Sequence, residues 1–211
     1  MKFEAVLFDF DGTLINTNDL CFDSYRYAFR SVLKREIEMS EILNLFGRPL
    51  DISLADYGDA QADLCREYRK FNEANHDKLI KKFDGAAEGV KMISQLGLKI
   101  AIVTSKRAHM CKEGLKWLGI EEYIDVLVTP EDTSEHKPNP APLLLACERL
   151  GVKPQNALMV GDSLFDMMAG KAAGTGLCAV KYSVTPHEEL EKMGLDYFVG
   201  SIIELAEILS D

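Results

Sequence analysis

The sequence predicts a doubly wound α/β fold with a parallel sheet and a small all-helical domain inserted after the first strand. Short, nearly continuous apolar runs have the character of buried strands, and helical patterns alternate with them from residue 86 onward. A third observation is a long stretch, from about 17 to 82, that has helical patterns but no convincing strand. We therefore expect one sheet, interrupted once by helices.

The predicted strands are apolar nearly throughout, which is typical of strands covered on both faces of a parallel sheet. They span residues 3–8, 99–103, 125–128, 157–160 and 177–180, with a weaker sixth run at 197–199. The helical patterns of the same part of the chain span 86–96, 108–118, 140–150, 164–173 and 201–209. Regular alternation of the two predicts parallel strands joined by helices.

The inserted region contains two amphipathic patterns, at 19–35 and 60–82, separated by loop signals such as Gly47-Arg48-Pro49. We therefore predict an α/β core domain formed by residues 1–16 and 83–211, and a helical domain formed by residues 17–82. The connections near 16–18 and 82–85 are the expected hinges between them.

Composition limits the class of protein. The net charge of −10 argues against a general nucleic-acid binder, which needs a basic surface. The five cysteines have no CxxC spacing, which favours reduced thiols over a zinc site or a disulfide framework. The N-terminus has no signal-peptide pattern, and no run approaches the ~20 apolar residues that cross a bilayer. We expect a cytoplasmic protein with no membrane or nucleic-acid partner; its oligomeric state stays open.

Polar and charged residues lie in the segments that follow the predicted strands, including the proline-rich loop that contains Lys137. In open α/β sheets, ligands bind beyond the carboxyl ends of the strands, so these residues are expected to converge at one edge. They are Asp9, Asp11, Thr13, Thr104, Ser105, Lys137, Asp162 and Asp166.

Four aspartates at one edge would repel one another unless a cation lay between them. A hard dication with oxygen ligands resolves this repulsion, which predicts a Mg²⁺ site formed by Asp9, Asp11, Asp162 and Asp166. Asp162 and Asp166 are four residues apart, so one would bind the metal directly and the other more indirectly, through water. Lys137 would supply a further fixed positive charge. Mg²⁺ with carboxylates and a substrate phosphate is the usual arrangement for phosphoryl transfer.

Asp9 and Asp11 alternate around Phe10, so their side chains would point the same way if the strand continued through them. One of them can then attack phosphorus, while the other protonates the leaving group and later activates water. A hydroxyl of Thr104 or Ser105 can donate to a phosphate oxygen, and Lys137 can stabilise charge on the transferred group.

Four of these segments together resemble the motifs of the haloacid dehalogenase superfamily of phosphatases. Asp9-Phe10-Asp11-Gly12-Thr13-Leu14 is similar to its first motif and Thr104-Ser105 to its second. Lys137-Pro138 is similar to the third, and Gly161-Asp162-Ser163-Leu164-Phe165-Asp166 to the fourth. The order and spacing match over essentially the whole chain, and the helical insert resembles the C1-type cap of that superfamily.

The resemblance implies an aspartyl-phosphate on Asp9 and a general acid/base role for Asp11. It also implies Mg²⁺ bound by Asp9, the Asp11 backbone carbonyl and Asp162, with Asp166 in support. Thr13, Thr104 and Ser105 are the candidates for binding substrate, together with Arg48 of the insert, for which a plain surface role is the alternative. Which of Thr104 and Ser105 binds phosphate stays open.

Within that superfamily the chain is most similar to the branch of pyrophosphatases, phosphoglycolate phosphatases and β-phosphoglucomutases. It resembles the bacterial pyrophosphatases at 14–18, 68–72 and His76-Asp77. We expect a hydrolase of a small phosphate compound. A phosphosugar mutase is the alternative enzyme, and a receiver-like phospho-acceptor domain is the alternative outside enzymes. Receiver domains are shorter and lack an insert after the first strand.

Overall fold

The structure is a computed structural model that describes residues 2–46 and 50–210. By its internal contacts the chain divides into two compact units. Met1–Ile15 and Lys82–Asp211 form one, called the core unit below, and Asn16–Lys81 form the other, called the helical unit.

The strands and helices of the described residues are numbered in chain order. The strands are β1 (Ala5–Phe8), β2 (Ile15–Asn16), β3 (Lys81–Lys82), β4 (Lys99–Val103), β5 (Val126–Val128), β6 (Ala157–Gly161), β7 (Gly176–Val180) and β8 (Tyr197–Val199). The helices are α1 (Asn18–Leu33), α2 (Met39–Leu45), α3 (Leu50–Ser53), α4 (Gln61–Leu79), α5 (Ala86–Gln95), α6 (Ala108–Leu118), α7 (Ala141–Leu150), α8 (Leu164–Ala173), α9 (His187–Glu191) and α10 (Ile202–Ser210).

The core unit has a six-stranded parallel sheet in the order β5-β4-β1-β6-β7-β8. The predicted α/β fold is therefore confirmed, and the weak sixth run forms the edge strand β8. The short helix α9 had no sequence signal and was not predicted.

Strand β1 lies in the middle of this sheet because both of its faces are apolar. All four of its residues are fully buried. In the sheet register Leu7 lies between Ala101 of β4 and Met159 of β6, and these three residues belong to one hydrophobic cluster. Burial on both faces explains why the run is continuous rather than alternating. It also fixes the carboxyl end of β1 beside those of β4 and β6.

The helical unit has a hydrophobic core of its own, which draws on α1, α2 and α4. Phe29 of α1 is fully buried there, and its ring meets Tyr57 edge to face at a centroid distance of 5.0 Å. Tyr25 packs against Tyr68 of α4 in a similar way, with ring centroids 4.7 Å apart. Tyr25 and Phe29, four residues apart on α1, thus each form an aromatic pair that stabilises the core of this unit.

The ends of two helices in this unit differ from the prediction. Helix α1 stops at Leu33 because Lys34 adopts a left-handed backbone conformation, with φ of 54°. Helix α4 stops at Leu79, and Lys81–Lys82 form β3, which pairs with β2. The expectation of no strand between 17 and 82 was therefore wrong at Lys81–Lys82.

Among the described residues, none of the helices has the length and apolarity that a membrane span requires.

Replacing Phe29 with alanine should lower the free energy of unfolding by about 3–5 kcal/mol, because it leaves a cavity in the core of the helical unit. Leu43 of α2 is 46% exposed, so Leu43→Ala should change that free energy by less than about 0.5 kcal/mol. Denaturant unfolding followed by circular dichroism measures both variants. Equal losses would contradict the assignment of Phe29 to a packed core.

Candidate active site

Three aspartates form a buried cluster at the carboxyl edge of the sheet. Asp9 directly follows β1, Asp162 directly follows the neighbouring strand β6, and Asp166 lies in the first turn of α8. One carboxylate oxygen from each lies within 4.8 Å of the others. All three side chains are buried. The structure thus brings together three of the four aspartates expected to bind a metal.

Lys137 is buried against the same cluster. Its ammonium donates to Asp9 Oδ1 at 2.8 Å, to Asp166 Oδ1 at 2.6 Å and to the carbonyl oxygen of Val103 at 2.9 Å. These contacts use all three N–H donors of a lysine. Lys137 therefore holds Asp9 and Asp166 in place and has no donor left for Asp162.

The pKa values in the cluster follow from burial and from the small number of cations. Burial raises the pKa of Asp9 to about 7, although Lys137 acts in the opposite direction. Burial, reinforced by the charges of Asp166 and Asp9, raises the pKa of Asp162 well above its usual value. Burial would lower the pKa of Lys137, but the two carboxylates that it contacts raise it above its ordinary value. Lys137 is therefore charged, while the carboxylates lack compensating charge.

Asp166 has a second structural role at the start of α8. Its Oδ2 accepts hydrogen bonds from the Ser163 backbone N–H at 3.1 Å and from Ser163 Oγ at 2.6 Å. Ser163 Oγ in turn accepts from the Asp166 backbone N–H, which completes a capping box. Both oxygens of Asp166 therefore already have partners, one in the cap and one on Lys137.

Asp11 does not join the cluster in the expected way. Strand β1 ends at Phe8, so the strand alternation that would align Asp9 and Asp11 does not extend to them. Residues 10–15 instead form a tight turn, in which Leu14 N–H donates to the carbonyl of Phe10 at 2.9 Å. The Asp11 carboxylate accepts hydrogen bonds from Lys106 Nζ at 2.9 and 3.2 Å. The condition for that alignment, a strand that continues through Asp11, is therefore not met, although Asp11 still lies at the carboxyl edge.

Gly12 and Thr13 occupy the same turn. Gly12 has a φ of +83°, and a Cβ atom there would collide with the Asp162 carboxylate, so only glycine fits. Thr13 is fully buried, and its Oγ1 has no hydrogen-bond partner within the described part of the chain. A buried hydroxyl without a partner is costly, which marks this turn as incomplete without a further group.

The other residues expected to bind substrate differ in their surroundings. Thr104 directly follows β4 and is buried, and its Oγ1 accepts from the Lys106 backbone N–H at 3.0 Å. Ser105 is exposed. Neither begins a helix, because α6 starts at Ala108 with Arg107 as its N-cap residue. Arg48 lies outside the described residues.

Two further residues hold the site and were missed from the sequence. Tyr182 donates its hydroxyl to the carbonyl of Thr13 at 2.6 Å, and Ser183 Oγ donates to the carbonyl of Asp162. Both follow β7, so the strand-end rule that found the aspartates could also have found them. One loop therefore fixes the backbone on two sides of the cluster.

The donor set fits a hard dication. Three ionised carboxylates with the single ammonium of Lys137 leave an excess of two negative charges. Carboxylate oxygens are the ligands that Mg²⁺ prefers, and a bound dication would favour the ionised forms of Asp9 and Asp162. The buried acidic cluster is thus suited to a divalent metal ion.

Comparisons with known proteins agree with this geometry. The sequence model of the family described as "Haloacid dehalogenase-like hydrolase" matches residues 6–180. A protein from Clostridium perfringens named "Putative pyrophosphatase PpaX" is 42% identical over 207 residues, which is 98% of this chain and 97% of that protein. "Pyrophosphatase PpaX" from Halalkalibacterium halodurans is 36% identical over 210 residues, which is 99% of this chain and 98% of that protein. A crystal structure titled "putative phosphoglycolate phosphatase" from Lactobacillus plantarum has a TM-score of 0.88 at 23% identity, over 99% of this chain and 100% of that one, and supports the fold.

Addition of Mg²⁺ should stabilise the protein, by about 2.7 kcal/mol when the metal is at 100 times its Kd. In Asp162→Asn this stabilisation should be largely lost, because the variant lacks one ligand. Without metal, the variant should be at least as stable as the unaltered protein, because it removes a buried carboxyl whose ionisation is unfavourable in the folded protein. Thermal unfolding with and without Mg²⁺ measures both effects.

Asp56→Asn is the matched control, because Asp56 is exposed in the helical unit. It should keep the full response to Mg²⁺. An equal response in Asp162→Asn would contradict a metal site at this cluster.

Proposed function

This chain belongs to the haloacid dehalogenase-like hydrolase family, and from that premise we propose that it is a Mg²⁺-dependent phosphohydrolase with Asp9 as its nucleophile. The observation that carries the proposal is the buried group of Asp9, Asp162, Asp166 and Lys137 at the carboxyl edge of the sheet. Asp9 is the member that directly follows the central strand, β1.

Asp9 is suited to attack phosphorus. Lys137 binds Oδ1 of Asp9, which fixes the orientation of its carboxylate. In the first step, an Asp9 oxygen forms a bond to phosphorus and the bond from phosphorus to the leaving oxygen breaks. Asp11 in its protonated form gives its proton to that leaving oxygen, and an aspartyl-phosphate remains.

The second step releases phosphate. Water attacks the phosphorus of the aspartyl-phosphate, the bond from phosphorus to the Asp9 oxygen breaks, and Asp11 takes the proton from the water. The same residue thus acts first as acid and then as base, which leaves Asp9 and Asp11 in their starting states. Asp11 is partly exposed and so can reach both a leaving group and water.

Asp9, Asp162 and the backbone carbonyl of Asp11 would hold the Mg²⁺, with Asp166 supporting it through its contacts to Lys137 and Ser163. The bound dication would supply positive charge for the phosphate oxygens. Lys137 would offset charge on the transferred group mainly through its field, because its donors are already used.

Inorganic pyrophosphate is the substrate that we propose. The two relatives at 42% and 36% identity are named pyrophosphatases, and this chain matches nearly the whole length of each. Thr13 and Thr104 are the proposed phosphate contacts of the core unit, with Ser105 as the alternative to Thr104. The unpartnered Oγ1 of Thr13 supports its place in this set. The helical unit would act as a cap that selects the substrate, with Arg48 as its candidate contact.

Asp9→Asn should lower the rate of phosphate release by at least about 10³-fold, because an amide cannot act as the nucleophile. The fold should remain, since asparagine has the same shape and removes one charge from a crowded cluster. Phosphate release and circular dichroism measure the two outcomes. Asp56→Asn, an exposed aspartate, serves as the control and should keep full activity. A folded Asp9→Asn protein with ordinary turnover would refute the nucleophile assignment.

A comparison of substrates tests the choice of pyrophosphate. With Mg²⁺ present, kcat/KM should be higher for pyrophosphate than for phosphoglycolate, sugar phosphates or nucleotides, and chelation of the metal should abolish turnover of each. A dependence on a sugar bisphosphate activator, with a phosphosugar as product, would instead identify a mutase. Higher kcat/KM for phosphoglycolate would overturn the substrate while leaving the mechanism in place.

A further inference from the structure

Lys106 is a second lysine at the carboxyl edge of the sheet, and the mechanism above gives it no role. Its Nζ donates to both oxygens of Asp11, at 2.9 and 3.2 Å. Its side chain is only 6% exposed, whereas that of Asp11 is 32% exposed. Lysines at a surface are normally solvated, so this burial sets Lys106 apart from an ordinary helix-surface lysine.

Hydrogen bonds fix the backbone at Lys106 and next to Asp11. The Lys106 N–H donates to Thr104 Oγ1 at 3.0 Å, which fixes the turn between β4 and α6. On the other side, the Gly12 N–H donates to the carbonyl of Ile15 at 2.8 Å, next to a bridge between Asp11 and Ile15. The ion pair therefore joins two fixed points, and it restrains the torsions of the Asp11 side chain.

Lys137 and Lys106 form ion pairs with different carboxylates at this edge. Lys137 contacts Asp9 and Asp166, and Lys106 contacts Asp11. An acid/base group must lie within hydrogen-bond reach of the proton that it transfers, and small displacements reduce the rate strongly. A partly exposed aspartate without a partner would rotate among several positions.

We infer that Lys106 is a positioning residue that holds the Asp11 carboxylate in the orientation needed for proton transfer. This inference rests on the proposed function, because it needs Asp11 to be the acid/base. Lys106 then affects the rate only through the position of Asp11 and does not contact the substrate.

A double-mutant cycle tests this inference with Lys106→Met and Asp11→Asn. Lys106→Met should lower kcat for pyrophosphate by about 10- to 100-fold with little change in KM. In the Asp11→Asn background it should cause no further loss beyond twofold, because the residue through which it acts is already gone. All four proteins of the cycle are assayed with pyrophosphate, so that both losses refer to the same reaction. Lys106→Arg should restore most of the rate, since it keeps the charge and the donors.

Two controls separate positioning from other roles. Lys112→Met changes an exposed lysine of α6 and should leave kcat unchanged. The response of thermal unfolding to Mg²⁺ should be the same in Lys106→Met and the unaltered protein. Losses that multiply in the double variant, or a raised KM, would show that Lys106 binds substrate directly and would overturn the inference. A lost Mg²⁺ response would show a structural role and would overturn it as well.

A crystal structure of Lys106→Met gives a readout that needs no activity. We expect the Asp11 carboxylate to occupy more than one position there. A single position equal to that in the unaltered protein would overturn the inference even if the proposed function holds. A failure of Asp9→Asn to lose activity would overturn the proposed function and leave the position of Asp11 unaffected, so the two failures can be told apart.

Discussion

The contact of Lys137 with Asp9 and Asp166 is the constraint on which the rest of the site depends. Its ammonium also binds the carbonyl of Val103, so one buried charge joins the ends of β4 and β1 to the start of α8. Buried carboxylates are costly to ionise, and removing one member of a buried ion pair typically costs about 3–5 kcal/mol. The cluster therefore persists only because the strand order places its members together, and the remaining negative charge makes the site receptive to a cation.

Much of this arrangement could be predicted from sequence because it follows from one property of parallel sheets. Apolar runs without alternation indicate strands covered on both faces, and the residues after such strands meet at one edge. Asp9, Lys137 and Asp162 each come after a predicted strand, and Asp166 is one helical turn beyond Asp162. Their convergence needed no knowledge of side-chain contacts, since the order of strands and helices was enough.

The details that sequence did not predict depend on local backbone geometry. The direction of Asp11 follows from the turn that begins at Phe10, and the apolar pattern, which predicts the end of β1 at Phe8, does not show that turn. The pairing of Asp11 with Lys106 depends in turn on that direction. Tyr182 and Ser183 bind backbone carbonyls, which every residue has, so no motif marks their targets. The strand Lys81–Lys82 consists of two lysines and carries no apolar signal.

The central place of β1 also has a consequence for how the protein is made. Of the six strands of the sheet, β1 is synthesised first, yet its hydrogen-bonding neighbours are residues 99–102 and 157–160. The apolar strand β1 therefore has no neighbouring strand to pair with until the residues up to 102 have been synthesised, and it lacks its second neighbour until the residues up to 160 have been synthesised. The helical unit, which has its own hydrophobic core, emerges next and can collapse during that interval. Aggregation during expression would accordingly be expected to involve β1 before any other part of the sheet.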